Sequence, residues 1–195
     1  GGALCSAQRN CVLAARELGG HVFPIDSCNL STGISLQIIE AGERIRAGMP
    51  AAEIAQAMKE IIPHCHASFI LDTLEFMRAG GRCSTIVAVG ANLLALKPCI
   101  EVDNSDGSMH VGKKYRGNLK KVLPQYVRDK LTQYDRIKRD HLFITYSSID
   151  PSYVELVRQA VLDVMDFKEI HVRTASCTVA SHCGPTTLGT LFETE

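Results

Sequence analysis

The spacing of hydrophobic and polar positions predicts helices in the first third of the chain, separated by one short strand. Apolar or small residues recur at helical spacing over residues 7–18 and stop at a glycine pair, which predicts a first helix. The apolar run at residues 21–25 predicts a short buried strand. Isoleucines at helical spacing predict two further helices, one after Ser31 and one that begins at Pro50.

The middle of the chain predicts a strand, a short helix and a hairpin. A strand over residues 66–71 leads into DTLEFMRAGG, which predicts a helix that Asp72 caps and a glycine pair ends. Apolar residues 85–94 predict another small helix. Extended pieces at 94–102 and 109–115 flank an Asn-Ser-Asp-Gly turn, which predicts a β-hairpin.

The last part of the chain alternates between helical and extended patterns. An apolar stripe over residues 119–131 predicts a helix. Pro124 within this stripe predicts that the helix either starts late or is kinked. Asp150 followed by a proline predicts the start of another helix. Three strands are predicted here, over residues 141–147, 169–175 and 179–183. Together these elements favour a mixed α/β fold with a parallel part and an antiparallel part.

Composition places the chain among ordinary globular proteins. Its 195 residues suffice for a real core, 46% of them are hydrophobic, and the formal net charge is zero. No global field therefore favours nucleic acid as a partner, and no apolar run of about 18 residues predicts a membrane span. Eight cysteines occur without CxxC spacing, mostly within apolar runs. They predict reduced core thiols in a cytoplasmic protein.

Two residues are candidates for binding an anion. Arg82 directly follows a glycine pair, and its planar guanidinium matches a carboxylate. Its alternative role is that of a surface arginine at the negative end of a helix. His182 precedes Gly184 and Pro185, which predict a helix start whose free N–H groups attract an anion. Its alternative role is that of a histidine satisfied within the core.

Several separate motifs resemble those of the DegV family of bacterial fatty-acid-binding proteins. They are PIDS at residues 24–27, DTLEFMRAGGR at 72–82, LKPCIEV at 96–102, KKYRG at 113–117 and SHCGPTTLG at 181–189. The resemblance implies a two-lobed α/β fold of which this chain is the C-terminal two-thirds. Residues 1–72 would be the remainder of a parallel-sheet lobe. Residues 73–195 would form a lobe with an antiparallel sheet flanked by helices, and its last segment would complete the ligand site.

The resemblance also implies a function and a set of binding residues. It implies a protein without catalytic machinery or cofactor that holds a long-chain fatty acid in a buried apolar tunnel. Arg82 and His182 would bind the carboxylate. Cys5 and Ser6 align with the serine and glycine of the family's carboxylate-binding loop, so they are further candidates for this site. In relatives that act with a fatty acid kinase, the protein presents the carboxylate to that kinase.

A basic run is the candidate docking surface for such a partner. The arginine that Arg116 matches in kinase-linked relatives helps to dock the kinase or an anionic membrane, and Lys113 and Lys114 extend that surface. Four more basic residues follow, and one acidic residue, Asp129, opposes the run. They are Lys120, Lys121, Arg128 and Lys130. The alternative is a solvated helix face without a partner.

Other interpretations stay open at this point. Of His64, Cys65 and His66, only the two histidines share a strand face, so we expect no metal site. Cys183 or Cys177 with His182 leaves a Cys–His hydrolase as one alternative. A kinase-partner module that binds a small polar ligand is the other. Because a chain without the first strands of the family leaves strand edges and apolar surface uncovered, we also expect self-association.

Overall fold

The structure, a computed structural model, describes residues 1–82 and 96–195. The predicted helix over residues 85–94 therefore lies outside the described residues. The helices are α1 (Ala7–Glu17), α2 (Thr32–Arg46), α3 (Ala51–Ile61), α4 (Glu75–Ala79), α5 (Leu119–Thr132), α6 (Pro151–Leu162) and α7 (Cys177–Cys183), with a 3₁₀ turn at Ile62–His64. The strands are β1 (Cys65–Ile70), β2 (Leu96–Val102), β3 (Met109–Arg116), β4 (Ile137–Ser147), β5 (Glu169–Thr174) and β6 (Thr187–Thr194).

The six strands just named form one sheet in the order β3-β2-β1-β6-β4-β5. The pairs β1–β2, β1–β6, β2–β3 and β4–β6 are antiparallel, and β4–β5 is parallel. The predicted hairpin is confirmed as β2 and β3, with Val102 opposite Met109. The mixed sheet with flanking helices confirms the predicted α/β fold class. β1, which precedes the expected domain boundary at residue 72, is a central strand of this sheet.

One face of the sheet is covered by α5 and α6. Their apolar stripes pack on alternate residues of the strands, among them Ile70, Leu142 and Phe192. The helix α5 begins at Leu119, so the late start predicted from Pro124 is wrong. The Asn118 side chain caps its first turn by accepting a hydrogen bond from the Lys121 amide at 3.1 Å. The cap and the burial of the apolar stripe offset the loss of the one helical hydrogen bond that Pro124 cannot donate.

The opposite face of the sheet is covered by α2, α4 and α7. Buried side chains from these helices and from the alternate strand positions form a second cluster. It includes Leu36 of α2, Met77 of α4 and Cys183 of α7, packed on Phe69 and Leu191 of the sheet. The start of α2 is fixed to this face by contact between the hydroxyls of Thr32 and Thr145, 2.5 Å apart. The candidate ligand site lies on this face.

Two predicted elements near the ends of the chain are wrong. Residues 21–25 form no strand, and Val22 and Phe23 are 45% and 42% exposed, because no described strand lies beside them to pair with. Residues 177–183 form α7, in place of the strand predicted over 179–183. The inward residues Val179 and Cys183 are four apart, which is helical spacing.

The motif SHCGPTTLG also differs from its predicted form. No helix starts at Gly184; this residue has φ 78° and ends α7, and β6 begins three residues later at Thr187. His182 therefore lies in the last turn of a helix, where backbone carbonyls are exposed in place of N–H groups. The predicted attraction of an anion to a helix start at this position is wrong.

The cysteines are distributed differently from the prediction. Of the seven in the described residues, three are buried, namely Cys65, Cys99 and Cys183. Cys28 is half-buried, and the exposed ones are Cys5, Cys11 and Cys177. All seven are free thiols. The expectation that most cysteines are core residues is therefore wrong, because the apolar runs around several of them lie on the surface. Among the described helices, none has the length and apolarity to cross a membrane.

Candidate functional site

The turn after α4 delivers Arg82 to the face of the sheet that α2, α4 and α7 cover. The amide of Gly81 donates to the Arg78 carbonyl at 3.0 Å, and the amide of Arg82 donates to the Met77 carbonyl at 2.9 Å. Gly81 has φ 68°, the left-handed conformation that this helix ending requires. The predicted glycine stop is thus confirmed. The predicted Asp72 cap is wrong, because Asp72 pairs with Lys97.

The Arg82 guanidinium links this turn to the N-terminal loop. Its Nη1 donates to the Gly80 carbonyl at 2.7 Å, and its Nη2 donates to the Leu4 carbonyl at 3.2 Å. The side chain is half-buried. Two backbone carbonyls orient the guanidinium without neutralising it, and no carboxylate within the described ranges forms an ion pair with it. A guanidinium held in this way retains further N–H donors and its full charge for a ligand.

His182 lies against the same turn. A Cβ added to Gly80 would come closer than 3.0 Å to both Nδ1 and Cε1 of His182, so the imidazole occupies the space above that glycine. A Cβ added to Gly184 would likewise come closer than 3.0 Å to the Phe76 ring, so α7 and α4 also pack closely at this point. The His182 Nδ1 atom is buried and has no hydrogen-bond partner among the described residues. A buried polar atom without a partner is uncommon in folded proteins and calls for an explanation.

Cys5 and Ser6 lie in the loop that Arg82 contacts. They directly follow Leu4, and both side chains are exposed. Ser6 stands at the N-cap of α1 without a side-chain cap, so its hydroxyl is not used by the helix. Residues 2–6, Gln8 and Arg9 line a broad surface depression of ≈ 520 Å³. The structure thus brings Arg82 and His182 together at Gly80, with Cys5 and Ser6 on the adjoining loop.

A small cavity of ≈ 30 Å³ lies between the sheet, α7 and the loop before α2. Its walls are mainly apolar, with hydroxyl groups at intervals. The lining includes Phe69, Val179, Cys183 and Leu191, and the hydroxyl residues Ser31 and Thr145. Cys183 adjoins His182 in the chain, so the cavity and the Gly80 turn meet at the end of α7. The volume corresponds to about two water molecules, not to an acyl chain.

Asn29 fixes the loop that borders this cavity, and the sequence reasoning did not identify it. Its side-chain amide donates to the Cys65 carbonyl of β1 at 2.7 Å, and its Oδ1 accepts from the Leu30 amide at 2.9 Å. A Cβ on Gly33 would come closer than 3.0 Å to the Asn29 side chain. The following Ser31 has φ 50°, an uncommon conformation for serine. The available signal was the turn-forming PIDSCN sequence before a helix.

The basic run divides into paired and unpaired residues. Lys113 donates to Asp129 at 2.6 Å, and Lys130 is buried and pairs with Glu101 at 2.8 Å. Because side chains alternate along a strand, Lys114 and Arg116 project to the side opposite Lys113. Both are exposed, and they form no ion pair with any described residue. Lys120, Lys121 and Arg128 are likewise exposed and outside the ion pairs of the described residues, so these five residues are the part of the basic run that is available to a partner.

The cysteine chemistry needed for a hydrolase is not favoured. Burial raises the pKa of the Cys183 thiol to about 11, so it stays protonated near neutral pH and is a poor nucleophile. Cys177 is exposed in the first turn of α7, whereas His182 lies in the last turn of that helix. Nδ1 of His182 has no bonding partner in the described part of the chain, so it is not hydrogen-bonded to either thiol there.

His64 lies in the 3₁₀ turn before β1 and His66 lies on that strand, so the expectation that both histidines share a strand face is wrong. Both rings contact the hydroxyl of Thr194, at 3.2 Å from His64 Nδ1 and 3.1 Å from His66 Nε2. Burial, and then the nearby His64 and Lys130, lower the pKa of His66 to about 4. One described group does have the proximity of a metal-ligand set, namely His141, Glu169 and His171 on β4 and β5. His141 precedes His171 by 30 residues, so the sequence alone gave no signal that these groups meet.

Comparison with known proteins gives a consistent family assignment. A family model described as "Uncharacterised protein, DegV family" matches residues 2–195. A DegV domain-containing protein of Deinococcus radiodurans is 30% identical over 183 residues, which are 93% of this chain and 63% of the relative. One from Clostridium acetobutylicum is 26% identical over 188 residues, 95% of this chain and 64% of the relative. The chain therefore spans less than two thirds of the length of these relatives.

Solved structures share the fold. A fatty-acid-binding DegV family protein from Thermus thermophilus superposes with a TM-score of 0.88 at 26% identity, over 100% of this chain and 68% of that protein. The fatty acid kinase B3 protein of Streptococcus pneumoniae, loaded with linoleic acid, gives a TM-score of 0.83 at 17% identity, over 100% of this chain and 69% of that protein. At that identity the second likeness shows the fold alone.

Proposed function

The chain belongs to the DegV family, and from that membership we propose that it binds a long-chain fatty acid, saturated or monounsaturated, without catalysing a reaction itself. The observation that carries the proposal is the meeting of Arg82 and His182 at Gly80, beside a mainly apolar cavity. A fatty acid combines one charged end with a long apolar chain. The site offers a cation and an unpaired imidazole for the first, and apolar walls for the second.

The carboxylate is assigned to Arg82 and His182. A carboxylate cannot be buried without a partner, because the loss of its hydration must be offset by charge-assisted hydrogen bonds. Arg82 is already oriented by the carbonyls of Gly80 and Leu4, so little of its rotational freedom remains to be lost on binding. The unpaired Nδ1 of His182 would gain a partner. Cys5 and Ser6 would add donors from the adjoining loop, the thiol being the weaker of the two.

The acyl chain is assigned to the space between α7, the loop before α2 and the sheet. At ~0.8 kcal/mol for each buried methylene, an acyl chain of about fourteen methylenes gives about 11 kcal/mol before the costs of association. The cavity of ≈ 30 Å³ is too small to hold such a chain. An acyl chain in this space therefore requires the side chains that line the cavity to move apart.

Presentation of the carboxylate to a fatty acid kinase in the cytoplasm is the second part of the proposal. Lys114 and Arg116 are exposed and unpaired within the described residues, so they can attract an acidic partner. The same two charges would favour transient contact with an anionic membrane surface. Attraction of this kind acts mainly on the rate of encounter and weakens with salt.

The apolar cavity also separates this proposal from its alternatives. A module for a small polar ligand would need converging polar groups in its pocket, whereas the walls here are mainly apolar. A Cys–His hydrolase would need a thiolate, whereas burial raises the pKa of the Cys183 thiol. Fatty acid binding uses both the apolar walls and the cation at their end.

The decisive experiment compares hexadecanoic acid with hexadecanol as ligands. Arg82→Ala should weaken binding of the acid by ~2–5 kcal/mol, the usual cost of removing one partner of a buried charge pair. It should leave the alcohol almost unaffected, since the alcohol brings no charge. His182→Ala should show the same selectivity with a smaller loss. Arg78→Ala, which removes an exposed arginine from α4, is the matched control and should affect neither ligand.

Two results would contradict the assignment. Equal losses for the acid and the alcohol would mean that Arg82 and His182 support the fold and do not bind the head group. Failure of the unmodified protein to bind either ligand in a direct titration would contradict fatty acid binding itself.

A further inference from the structure

Three potential metal ligands meet at the edge of the sheet, on its only parallel pair among the strands described. His141 lies on β4, and Glu169 and His171 lie on β5. The parallel register places His141 opposite Glu169 and Phe143 opposite His171. Because residues two apart share a strand face, all three side chains project to the same side of the sheet. The backbone alone therefore brings the three groups together.

The distances between the ligand atoms fit one metal ion. His141 Nδ1 and His171 Nε2 are 3.1 Å apart, and the Glu169 Oε2 atom is 3.3 Å from His171 Nε2 and 3.9 Å from His141 Nδ1. A circle through three points at these separations has a radius of about 2.0 Å, which equals ordinary Zn–N and Zn–O bond lengths. An ion at its centre would reach all three atoms without any movement of the backbone.

The surroundings keep the imidazoles oriented and available. The His171 ring stacks on Phe143, with centroids 4.5 Å apart and planes 24° apart. The cation nearest in sequence, Lys168, is paired with Asp140 at 2.6 Å. Glu169 is 61% exposed, so an ion has access from solvent.

We propose that His141, Glu169 and His171 form a binding site for one divalent transition-metal ion, with at least one coordination position open to water. Two imidazoles and one carboxylate are ligands that Zn²⁺ and Ni²⁺ accept, and three protein ligands leave an open position. The ion would join β4 to β5 at the edge of the sheet. The site is separate from the cavity, which β4 lines further along at Thr145.

The test is titration of the metal-stripped, untagged protein with Ni²⁺ at about pH 8, where histidine is neutral. Ni²⁺ is the preferred probe because it suits imidazole, whereas the exposed cysteines favour softer ions. We expect one ion per chain. His141→Gln and His171→Gln should each weaken binding more than about a hundredfold, since the loss of a supporting residue alone costs ten- to a hundredfold. Glu169→Gln should weaken it less, because the amide oxygen remains a ligand, although a poorer one than the carboxylate.

Controls separate this site from general histidine binding and from misfolding. His64→Gln and His66→Gln alter the other histidine pair and should leave the affinity unchanged. Without metal, the melting temperature of Glu169→Gln should match that of the unmodified protein, since this side chain is exposed. Added Ni²⁺ should raise the melting temperature of the unmodified protein by more than it raises that of the variant. Unchanged affinity in His171→Gln and Glu169→Gln would overturn the proposal. So would an equal loss in His66→Gln.

Discussion

His182 lies directly above the α-carbon of Gly80, where a Cβ would come closer than 3.0 Å to its Nδ1 and Cε1 atoms. Gly80 has an ordinary negative φ of −79°, so alanine is compatible with its backbone, and the three atoms nearest to an added Cβ all belong to the His182 imidazole. We expect Gly80→Ala to displace the His182 ring and to weaken fatty acid binding with little strain in the backbone. Titration with hexadecanoic acid, together with NMR of the histidine ring protons, measures both effects.

Gly42→Ala is the matched control for this substitution. Gly42 lies within α2, where the nearest atom to an added Cβ is Arg46 Nη1 at 3.9 Å. Alanine there should stabilise the helix by about 1 kcal/mol at most and leave ligand binding unchanged. If Gly80→Ala bound the acid as well as Gly42→Ala does, His182 would have no part in the binding site.

Reversing two charges on β3 should impair transfer without impairing binding. Lys114→Glu with Arg116→Glu leaves the buried ion pair of Lys130 and Glu101 intact. Because exposed charges contribute little to stability, the melting temperature and the fatty acid affinity should stay the same. The rate of fatty acid transfer to or from anionic vesicles should fall, and more so at low salt. The measurement is a fluorescence transfer assay at several salt concentrations.

A double variant with the same change of charge provides the control. Lys59→Glu with Arg158→Glu reverses two exposed charges on α3 and α6. An equal fall in the transfer rate would show an effect of net charge and not of the β3 surface.

The hydroxyl of Tyr126 joins α5 to two central strands. It donates to the Ser68 carbonyl at 2.7 Å and accepts from the Thr190 amide at 2.9 Å, and the side chain is fully buried. Tyr126→Phe leaves these backbone groups without their partner. We expect it to lower the free energy of unfolding by about 1–3 kcal/mol, as measured by chemical denaturation. Tyr153→Phe, at a half-buried tyrosine of α6, should cost much less; equal losses would contradict the role of the Tyr126 hydroxyl.

Glu193 should make stability depend on pH. Burial, and then the nearby Glu40, raise its pKa to about 7 from the ordinary 4.5, although Lys138 lies 3.6 Å away. The folded protein therefore holds this proton more tightly than the unfolded chain does. The resulting stabilisation is complete below the ordinary pKa and is lost as the pH rises through about 7.

Glu193→Gln removes this titration. Its free energy of unfolding, relative to the unmodified protein, should increase between about pH 5 and about pH 8. Denaturation at several pH values measures the difference. Glu195→Gln, at an exposed neighbour, should show no such trend. A constant difference across this range for Glu193→Gln would refute the raised pKa.

Exposed apolar side chains lead us to expect self-association. Leu18, Val22 and Phe23 are exposed after α1, and Ile38 and Ile45 are exposed on α2. Apolar groups of this size favour burial against another surface. Light scattering should give a mass that rises with protein concentration, and Phe23→Ser with Ile38→Ser should reduce that rise. A constant monomer mass at high concentration would contradict this expectation.

The sequence predicted those features whose signals are local. The glycine stop before Arg82, the hairpin of β2 and β3, and the Asp150 cap of α6 all depend on neighbouring residues. The strand predicted over residues 179–183 is wrong because so short a segment fits both the helical and the strand period of apolar residues. Packing on the sheet selects the helix α7.

Contacts between distant residues could not be predicted. The parallel register of β4 and β5 brings His141 to His171, and the docking of α7 on α4 brings His182 to Gly80. The burial of Lys130 depends on its partner Glu101 in another element. None of these pairs has a spacing along the chain that reveals it.

The position of β6 in the sheet has a consequence for biosynthesis. This strand follows the other five in the sequence, yet it lies between β1 and β4 and joins them. Since a ribosome makes the chain from its N-terminus, the β1–β2–β3 and β4–β5 portions emerge first, each with an unpaired central edge. The sheet closes only when residues 187–194 have left the exit tunnel. Until then the nascent chain exposes two strand edges, each of which is a template for pairing with another chain.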